Sequence, residues 1–238
     1  MLLLCQENTT TSVYLLLQQR ITAITGQQLT KIYIVLYIDM DSDTKLLLSK
    51  CAELCEKVYS EELDYIVDES IPGYQIFAIE GTKEKIDWFT NIKFLFRANG
   101  MHRGFKANAE RTMVRAISKG HSLKDDKKLV LTGHSLGGAS AVCLADLLRE
   151  RFPDLTIVTF GAPRPGNRCL RERLHKLTQY RYRHGDDIVP LTPPWITGYV
   201  HTAPVIMLED ANDRLLDRIQ DHNISSYREQ LNKYLLTL

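Results

Sequence analysis

Apolar and polar residues follow two different periods along the chain, and the two kinds of segment alternate. Short, nearly continuous apolar runs predict buried strands, because each has the length of a strand and is bounded by turn-forming or charged residues. Longer segments with apolar residues at every third or fourth position predict helices. The predicted strands lie at 74–79, 128–132, 155–160, 180–182 and 200–208. The predicted helices lie at 44–59, 136–151, 168–177 and 224–236.

This order of elements predicts an α/β fold with a central, mostly parallel sheet and helices on both faces, since parallel neighbours need a long crossover between them. Neither an internal repeat nor a Pro- or Ser-rich linker interrupts the chain, so one domain is predicted. We interpret residues 1–45, the least regular part, as an N-terminal extension of unclear role packed on the same domain, which spans residues 46–238. Ligands of such sheets bind at the carboxyl ends of the strands.

The composition excludes several classes of protein but does not indicate a particular reaction. Lys and Arg number 30 against 29 Asp and Glu, so the chain lacks the positive charge typical of nucleic-acid binding. No apolar run reaches the roughly 18 residues of a membrane-spanning helix, and residues 1–5 lack the basic start of a signal peptide. We therefore expect no transmembrane segment and a cytoplasmic or non-classically exported protein. The five cysteines predict buried free thiols rather than a disulfide framework.

The stretch Gly133-His-Ser-Leu-Gly137 lies between a predicted strand and a predicted helix. A Gly-x-Ser-x-Gly sequence in that position is typical of a nucleophile elbow, a tight turn that lifts the serine hydroxyl above the edge of the sheet. The two glycines leave room for the neighbouring chain. A plainer interpretation is that Ser135 only caps the helix, but the strand–turn–helix context favours a nucleophile.

A serine hydroxyl at neutral pH needs a base, and the base needs a carboxylate that orients it. In this kind of fold the chain order is serine, acid, histidine. His201 lies within a predicted strand, whereas His222 lies in a loop before the last helix, so we favour His222 as the base. Asp186 and Asp187 are both candidate acids. Because adjacent side chains of an extended loop point to opposite sides, only one of them can reach the imidazole.

Several stretches together resemble the class 3, or fungal-type, lipase family. They are residues 131–139 around the serine, 159–167, 184–194 and the pair Asp221-His222. Upstream, 79–82 and 101–105 fall where that family has its Phe-Arg-Gly-Ser/Thr and Val-His-x-Gly-Phe segments. The similarity covers about four-fifths of the chain, and the motifs occur in the order that the family has.

The resemblance implies an α/β-hydrolase fold and a catalytic triad with Ser135 as nucleophile, Asp187 as acid and His222 as general base. It also implies an oxyanion hole formed by the backbone N–H of Leu136 and by the N–H and hydroxyl of Thr82. The chemistry of this family requires neither a metal ion nor a cofactor, and none is expected here.

One position departs from the pattern of the family. Glu80 stands where the family usually has Arg before the Gly-Thr pair. A carboxylate pointing inward at that position would oppose the negative charge that develops in an oxyanion hole. We therefore expect the side chain of Glu80 to face away from the hole.

The segment 83–103 corresponds to the mobile lid of the resembled lipases. Trp88, Ile92 and Leu95 follow helical spacing, with Phe89 beside them, which predicts an amphipathic helix and candidate substrate contacts. The helix is either packed permanently on the core or is a lid that exposes its aromatic side chains to lipid. For a lid, activity on a long-chain emulsion should rise disproportionately above the solubility limit of the substrate.

The expected activity is hydrolysis of acylglycerol or other lipid esters. A phospholipase A1 or a short-chain esterase would use the same triad, because the shape of the acyl pocket separates these activities. An inactive relative that serves as a lipid-binding or interaction module is an alternative from a different class. The stretch 164–183 carries seven basic residues against one acidic residue, which indicates either a solvated helix face or transient contact with anionic lipid headgroups. No motif indicates nucleic-acid binding.

Overall fold

The computed structural model describes residues 40–81, 97–208 and 221–238. All of these residues belong to one unit, Asp39–Leu238. The candidate for the second oxyanion donor and the candidates for the lid lie outside the described residues: Thr82, Trp88, Phe89, Ile92 and Leu95. Nearly all of the predicted N-terminal extension lies outside them as well, so the predicted boundary at residue 45 stays a prediction.

The described strands form a central sheet and a short hairpin. They are β1 (Tyr65–Asp68), β2 (Tyr74–Ile79), β3 (Arg97–Ala98), β4 (Met101–His102), β5 (Lys128–His134), β6 (Thr156–Phe160), β7 (Thr178–His184) and β8 (Ile206–Leu208). The central sheet has the order β1-β2-β5-β6-β7-β8, and β3 pairs with β4. β1 is antiparallel to β2, and the other neighbours in the central sheet are parallel. The predicted, mostly parallel sheet is confirmed.

Both faces of the central sheet are buried, which explains why its strands are almost continuously apolar. In β2, Phe77 belongs to one apolar layer, while Ile76 and Ala78 belong to the layer on the other face. Successive side chains of a strand point to opposite faces, so a single strand supplies both layers. Each of these three side chains is at most 1% exposed. The core therefore consists of two layers with the sheet between them.

Helices pack on both faces, as predicted. The described helices are α1 (Ser42–Ser60), α2 (Arg103–Ser118), α3 (Leu136–Leu148), α4 (Arg168–Leu174) and α5 (Ile224–Thr237). Apolar side chains of α1 and α5 enter one layer, and those of α2, α3 and α4 enter the other. The first turn of α1 is capped by the Asp41 carboxylate, which accepts the N–H of Thr44 at 2.7 Å. None of these helices has the length and apolarity needed to cross a membrane.

The predicted strand at 200–208 is wrong over most of its length, because β8 covers only Ile206–Leu208. Pro204 has no N–H and cannot donate to a strand ladder. Val200 pairs instead with Gly166 in an isolated bridge. The helices predicted at 136–151 and 168–177 both end three residues earlier than expected, at Leu148 and Leu174.

Within the described ranges, the cysteines are free thiols, as predicted. Cys51, Cys55 and Cys143 are buried as predicted, whereas Cys169 is exposed, so the prediction of burial is wrong for that residue. Burial raises the pKa of the Cys55 thiol to about 12, so it remains protonated near neutral pH. These buried thiols therefore act as small apolar side chains of the core.

Candidate active site

Ser135 lies in the turn between β5 and α3, at the carboxyl edge of the parallel strands. Its φ of 56° and ψ of −127° are strained for a residue with a side chain, a conformation that costs on the order of 1–3 kcal/mol. A Cβ on Gly133 would lie 2.3 Å from the carbonyl carbon of Gly137, and one on Gly137 would lie 2.2 Å from the carbonyl oxygen of Ile79. The Ser135 N–H donates to the Phe160 carbonyl at 3.0 Å and holds the turn. Glycine is therefore required on both sides of the serine.

His222 reaches the serine from the loop before α5. Its Nε2 lies 2.8 Å from the Ser135 Oγ, and its Nδ1 lies 2.8 Å from the Asp187 Oδ2. An ionised carboxylate can only accept, so Nδ1 carries the proton and Nε2 accepts the serine O–H. Ser135 and His222 are each 7% exposed, and Asp187 is 0% exposed. The structure thus brings together the three side chains that the sequence predicts as nucleophile, base and acid.

The turn after β7 distinguishes Asp187 from Asp186, a choice that the residues alone leave open. The Oδ1 of the buried Asp187 accepts the N–H of Val189 at 2.9 Å. Asp186 is exposed, and its N–H donates to the carboxylate of Asp221 at 2.8 Å. Only Asp187 of this pair contacts His222.

His201, the other candidate base, lies in the loop before β8 rather than within a strand. Its Nε2 donates to the carbonyl oxygen of Pro190 at 2.7 Å. Burial lowers the pKa of His201 to about 3, and the positive charge of Arg181 contributes to this shift. His201 is therefore a neutral ring that holds a loop, whereas His222 is the ring that contacts the serine.

Two residues that the sequence interpretation missed surround the carboxylate of Asp187. The hydroxyl of Tyr227, fully buried in α5, donates to Oδ2 at 2.6 Å. Gly161 follows β6 with φ 57°, and a Cβ there would lie 2.8 Å from the same oxygen and 3.1 Å from Cε1 of His222. A tyrosine on the apolar face of a helix is typical of core packing, so its spacing carried no functional signal. The only sequence signal at Gly161 was its place at the end of a predicted strand.

The residue before the serine contacts the proposed base. The ring of His134 packs on the ring of His222 with 4.6 Å between the centroids. The Nδ1 of His134 lies 3.0 Å from the hydroxyl of Tyr59 in α1. Burial raises the pKa of the Tyr59 phenol, so this hydroxyl stays protonated. A helix from the opposite end of the described chain thus fixes the imidazole that packs against His222.

The backbone next to Ser135 offers a site for negative charge. Leu136 begins α3, so its N–H has no acceptor within the helix and lies at the positive end of the helix dipole. Glu80 follows β2, and its Oε1 is buried; the expectation that it faces away from the oxyanion hole stays a prediction. Among the described residues, no group of three or more His, Cys, Asp or Glu side chains could hold a metal ion.

Known proteins show similarity in sequence. A protein described as "Secreted mono- and diacylglycerol lipase 1" from Fusarium solani is 33% identical over 156 residues, which are 61% of this chain and 47% of that protein. "Toxin TseL" from Vibrio cholerae is 34% identical over 100 residues, which are 41% of this chain and 15% of the toxin. The chain therefore spans about half the length, or less, of these two relatives.

The similar solved structures and the matching family model are all described as lipases. Lipase II from Rhizopus niveus aligns with a TM-score of 0.51 and 25% identity, over 62% of each chain. A mono- and diacylglycerol lipase from Aspergillus oryzae aligns with a TM-score of 0.59 and 22% identity, over 74% of this chain and 82% of that one. These alignments confirm the α/β-hydrolase fold. The family model described as "Lipase (class 3)" matches residues 76–197, just over half of the chain, and the chain belongs to the class 3 lipase family.

Proposed function

We propose that the chain is a serine ester hydrolase of the lipase type, which cleaves acylglycerol esters through an acyl-enzyme intermediate. The observation that carries the proposal is the unbroken line of contacts from the Ser135 Oγ through the ring of His222 to Asp187, with 2.8 Å at each step. Nucleophilic acyl transfer by a serine requires a base that takes the hydroxyl proton and a carboxylate that orients the base. The strained serine, the buried imidazole and the buried carboxylate occur here in that order.

In the first half of the proposed reaction, the Ser135 Oγ attacks the ester carbonyl while Nε2 of His222 takes its proton. Asp187 stabilises the imidazolium that forms. When the tetrahedral intermediate collapses, the ester C–O bond breaks, His222 returns the proton to the leaving alcohol, and the acyl group stays on Ser135. In the second half, a water deprotonated by His222 attacks the acyl-enzyme and releases the carboxylic acid.

The tetrahedral intermediate carries a negative oxygen that needs hydrogen-bond donors. In this proposal the N–H of Leu136 is one donor, and the N–H and hydroxyl of Thr82 are the other. Loss of one oxyanion donor typically costs about 10²–10³ in rate. Thr82→Ala removes the hydroxyl and keeps the backbone N–H, so a loss in kcat of less than about 10² would exclude the hydroxyl of Thr82 as an oxyanion donor.

The proposed substrates are acylglycerols, and transient contact with a lipid surface belongs to the same proposal. The support is the family and the name of the matching relative from Fusarium solani, a mono- and diacylglycerol lipase. A phospholipase A1 or a short-chain esterase with this triad would differ in its preferred acyl chain and headgroup. An inactive lipid-binding module would not need a serine held in a strained turn against a buried base.

A panel of p-nitrophenyl and glyceryl esters of increasing chain length tests the proposal. We expect Ser135→Ala to abolish hydrolysis and labelling by a fluorophosphonate. Ser140→Ala is a matched control, because Ser140 is fully buried in α3, the helix that follows Ser135. Its Oγ accepts from Asn108 at 3.0 Å, away from the triad. Equal rates for the parent and Ser135→Ala would defeat the proposal, and the chain-length profile separates the lipase from the esterase.

A further inference from the structure

The loop that follows Asp187 presents large apolar side chains to solvent. Trp195 and Ile196, in a short 3₁₀ turn, are 73% and 74% exposed. Ile188 and Leu191, closer to Asp187 in the chain, are 44% and 45% exposed. All four belong to one loop of residues 188–198, which we call the apolar loop. Several large apolar side chains exposed within one short loop are a candidate interaction site, because soluble proteins rarely expose apolar side chains in clusters.

Side chains beneath the apolar loop hold its backbone. The guanidinium of Arg164 donates to the carbonyl oxygens of Leu191 and Pro193. The ring of His201 donates to the carbonyl oxygen of Pro190 at 2.7 Å. These hydrogen bonds hold the backbone of the apolar loop at residues 190, 191 and 193, just before the exposed Trp195.

The apolar loop lies at the edge of the sheet where an ester must approach. It begins one residue after Asp187, and the N–H of Val189 donates to the carboxylate of Asp187. Ser135 lies at the carboxyl end of β5, and the apolar loop follows the carboxyl end of β7, two strands away in the same parallel sheet. A surface bound to the apolar loop is therefore next to the triad.

Positive charge lies at the base of the apolar loop. Arg164, Arg181 and Arg183 each donate to a backbone carbonyl rather than to a described carboxylate. Their charges also act together on His201, since all three contribute to lowering its pKa. Burial lowers the pKa of Arg181 to about 10, so the guanidinium remains charged at neutral pH. The loop therefore combines exposed apolar side chains with three arginine charges that form no ion pair with a described carboxylate.

This combination fits a lipid surface better than a protein partner. Tryptophan is favoured at the boundary between headgroups and acyl chains, where its ring is buried and its N–H stays near polar groups. Arginines behind it attract anionic headgroups or fatty-acid carboxylates. A stable protein interface buries about 800 Å² on each partner, whereas a fluid lipid surface needs no complementary shape and accepts a few inserted side chains.

We propose that the apolar loop is a docking surface for an anionic lipid interface, with Trp195 and Ile196 inserted among the acyl chains, an inference that rests on the proposed function. Docking there brings Ser135 to the surface that holds its substrate. The apolar loop and the predicted lid segment 83–103 are separate stretches of the sequence.

Vesicle binding by the full chain tests the docking surface. The Ser135→Ala protein is used so that the lipid stays intact, with vesicles of phosphatidylcholine alone or mixed with phosphatidylglycerol. We expect binding to the mixed vesicles, weakening at high salt, and a partition coefficient about tenfold or more lower for the double substitution Trp195→Ser, Ile196→Ser. The matched control is Val114→Ser, Ile117→Ser, two side chains that are 65% and 58% exposed in α2.

The control lies near β1, four strands away from β7 in the central sheet, because Arg115 of α2 pairs with Asp64, the residue before β1. Equal vesicle binding by the two double variants would overturn the docking surface. So would a dimer of the parent that the Trp195 and Ile196 substitutions convert to a monomer, since the face would then join two copies. Thermal unfolding checks the fold of each variant, and Ile196→Ser alone replaces the double variant if the latter does not fold.

Hydrolysis of soluble p-nitrophenyl butyrate by the unsubstituted chain separates the two proposals. Hydrolysis of this ester without vesicle binding overturns the docking surface and leaves the proposed function intact. Vesicle binding that depends on Trp195 and Ile196 without any hydrolysis overturns the proposed function instead.

Discussion

Replacing Tyr227 by Phe removes a single hydroxyl from the surroundings of Asp187. In the parent, Oδ2 accepts from the ring of His222 at 2.8 Å and from Tyr227 at 2.6 Å, while Oδ1 accepts from the N–H of Val189. The phenylalanine keeps the ring and its packing in α5. Asp187 is 0% exposed, so the lost donor is not replaced by bulk water.

The size of the effect follows from the charge of the acceptor. A hydrogen bond to a charged group contributes about 1.5–3 kcal/mol net. In a protein of this size 1 kcal/mol changes Tm by about 2–4 °C, so Tyr227→Phe should lower Tm by roughly 3–12 °C. The carboxylate keeps two of the three donors that the described residues supply, and the proposed base keeps its partner. We therefore expect kcat on a soluble ester to fall by only about tenfold, which corresponds to 1.4 kcal/mol, with KM unchanged.

Tyr182→Phe is the matched control for this experiment. Tyr182 is also fully buried in the same apolar layer, but its hydroxyl has no hydrogen-bond partner among the described residues. Loss of an unpaired buried hydroxyl is neutral or stabilising, so its Tm should stay equal or rise and its kcat should not change. If the two variants lose the same stability and the same activity, the contact between Tyr227 and Asp187 is not what positions the carboxylate.

Three further outcomes follow from the geometry. Asp187→Asn should lower kcat on a soluble ester by about 10⁴, since an amide no longer fixes the tautomer of the base; a loss below tenfold contradicts the assignment of the acid. Gly137→Ala should lower Tm sharply, because its Cβ would lie 2.2 Å from the carbonyl oxygen of Ile79, and a variant that unfolds like the parent contradicts this contact. Burial lowers the pKa of His201 to about 3 in the folded protein. Between about pH 3 and pH 6.5, His201 is therefore protonated in the unfolded chain but neutral in the folded chain. Stability should therefore decline from about pH 6.5 to pH 3 by up to about 1.4 kcal/mol per pH unit, and denaturant unfolding of His201→Gln should show a shallower decline; parallel profiles would contradict it.

The elbow around Ser135 was predictable because its determinants are local. The strand, the two glycines and the helix lie within about twenty consecutive residues. The tight turn requires glycine on both sides of the serine, so the elbow is visible as a short sequence motif. The sheet was predictable for a similar reason, since strands buried on both faces are short continuous apolar runs. The wrong prediction of a strand at 200–208 shows the limit of that rule. The apolar run predicts a strand although Pro204 within it has no N–H to donate.

The rest of the site depends on contacts between distant segments. Asp186 and Asp187 have the same chemistry and differ only in which side of a turn they face. Tyr227 carries no signal either, since a buried tyrosine in an amphipathic helix usually fills the core. What assigns it to the site is the position of α5 against the sheet, which brings its hydroxyl within 2.6 Å of Asp187. Sequence periodicity predicts that a helix is there but not which carboxylate it meets.

The register of the sheet explains why residues so far apart in sequence meet. Phe160 at the end of β6 pairs with His134 on one side and with Tyr182 on the other, so the chain leaves β5 and β6 at the same level, and Gly161 comes directly after. The side chains of Asp187, His222 and Tyr227 occupy the space that a Cβ at position 161 would enter. The glycine after β6 and the tyrosine in α5 therefore act together. The chain has no side chain where it leaves the strand between nucleophile and acid, and the Tyr227 hydroxyl that holds Asp187 lies in the space left open.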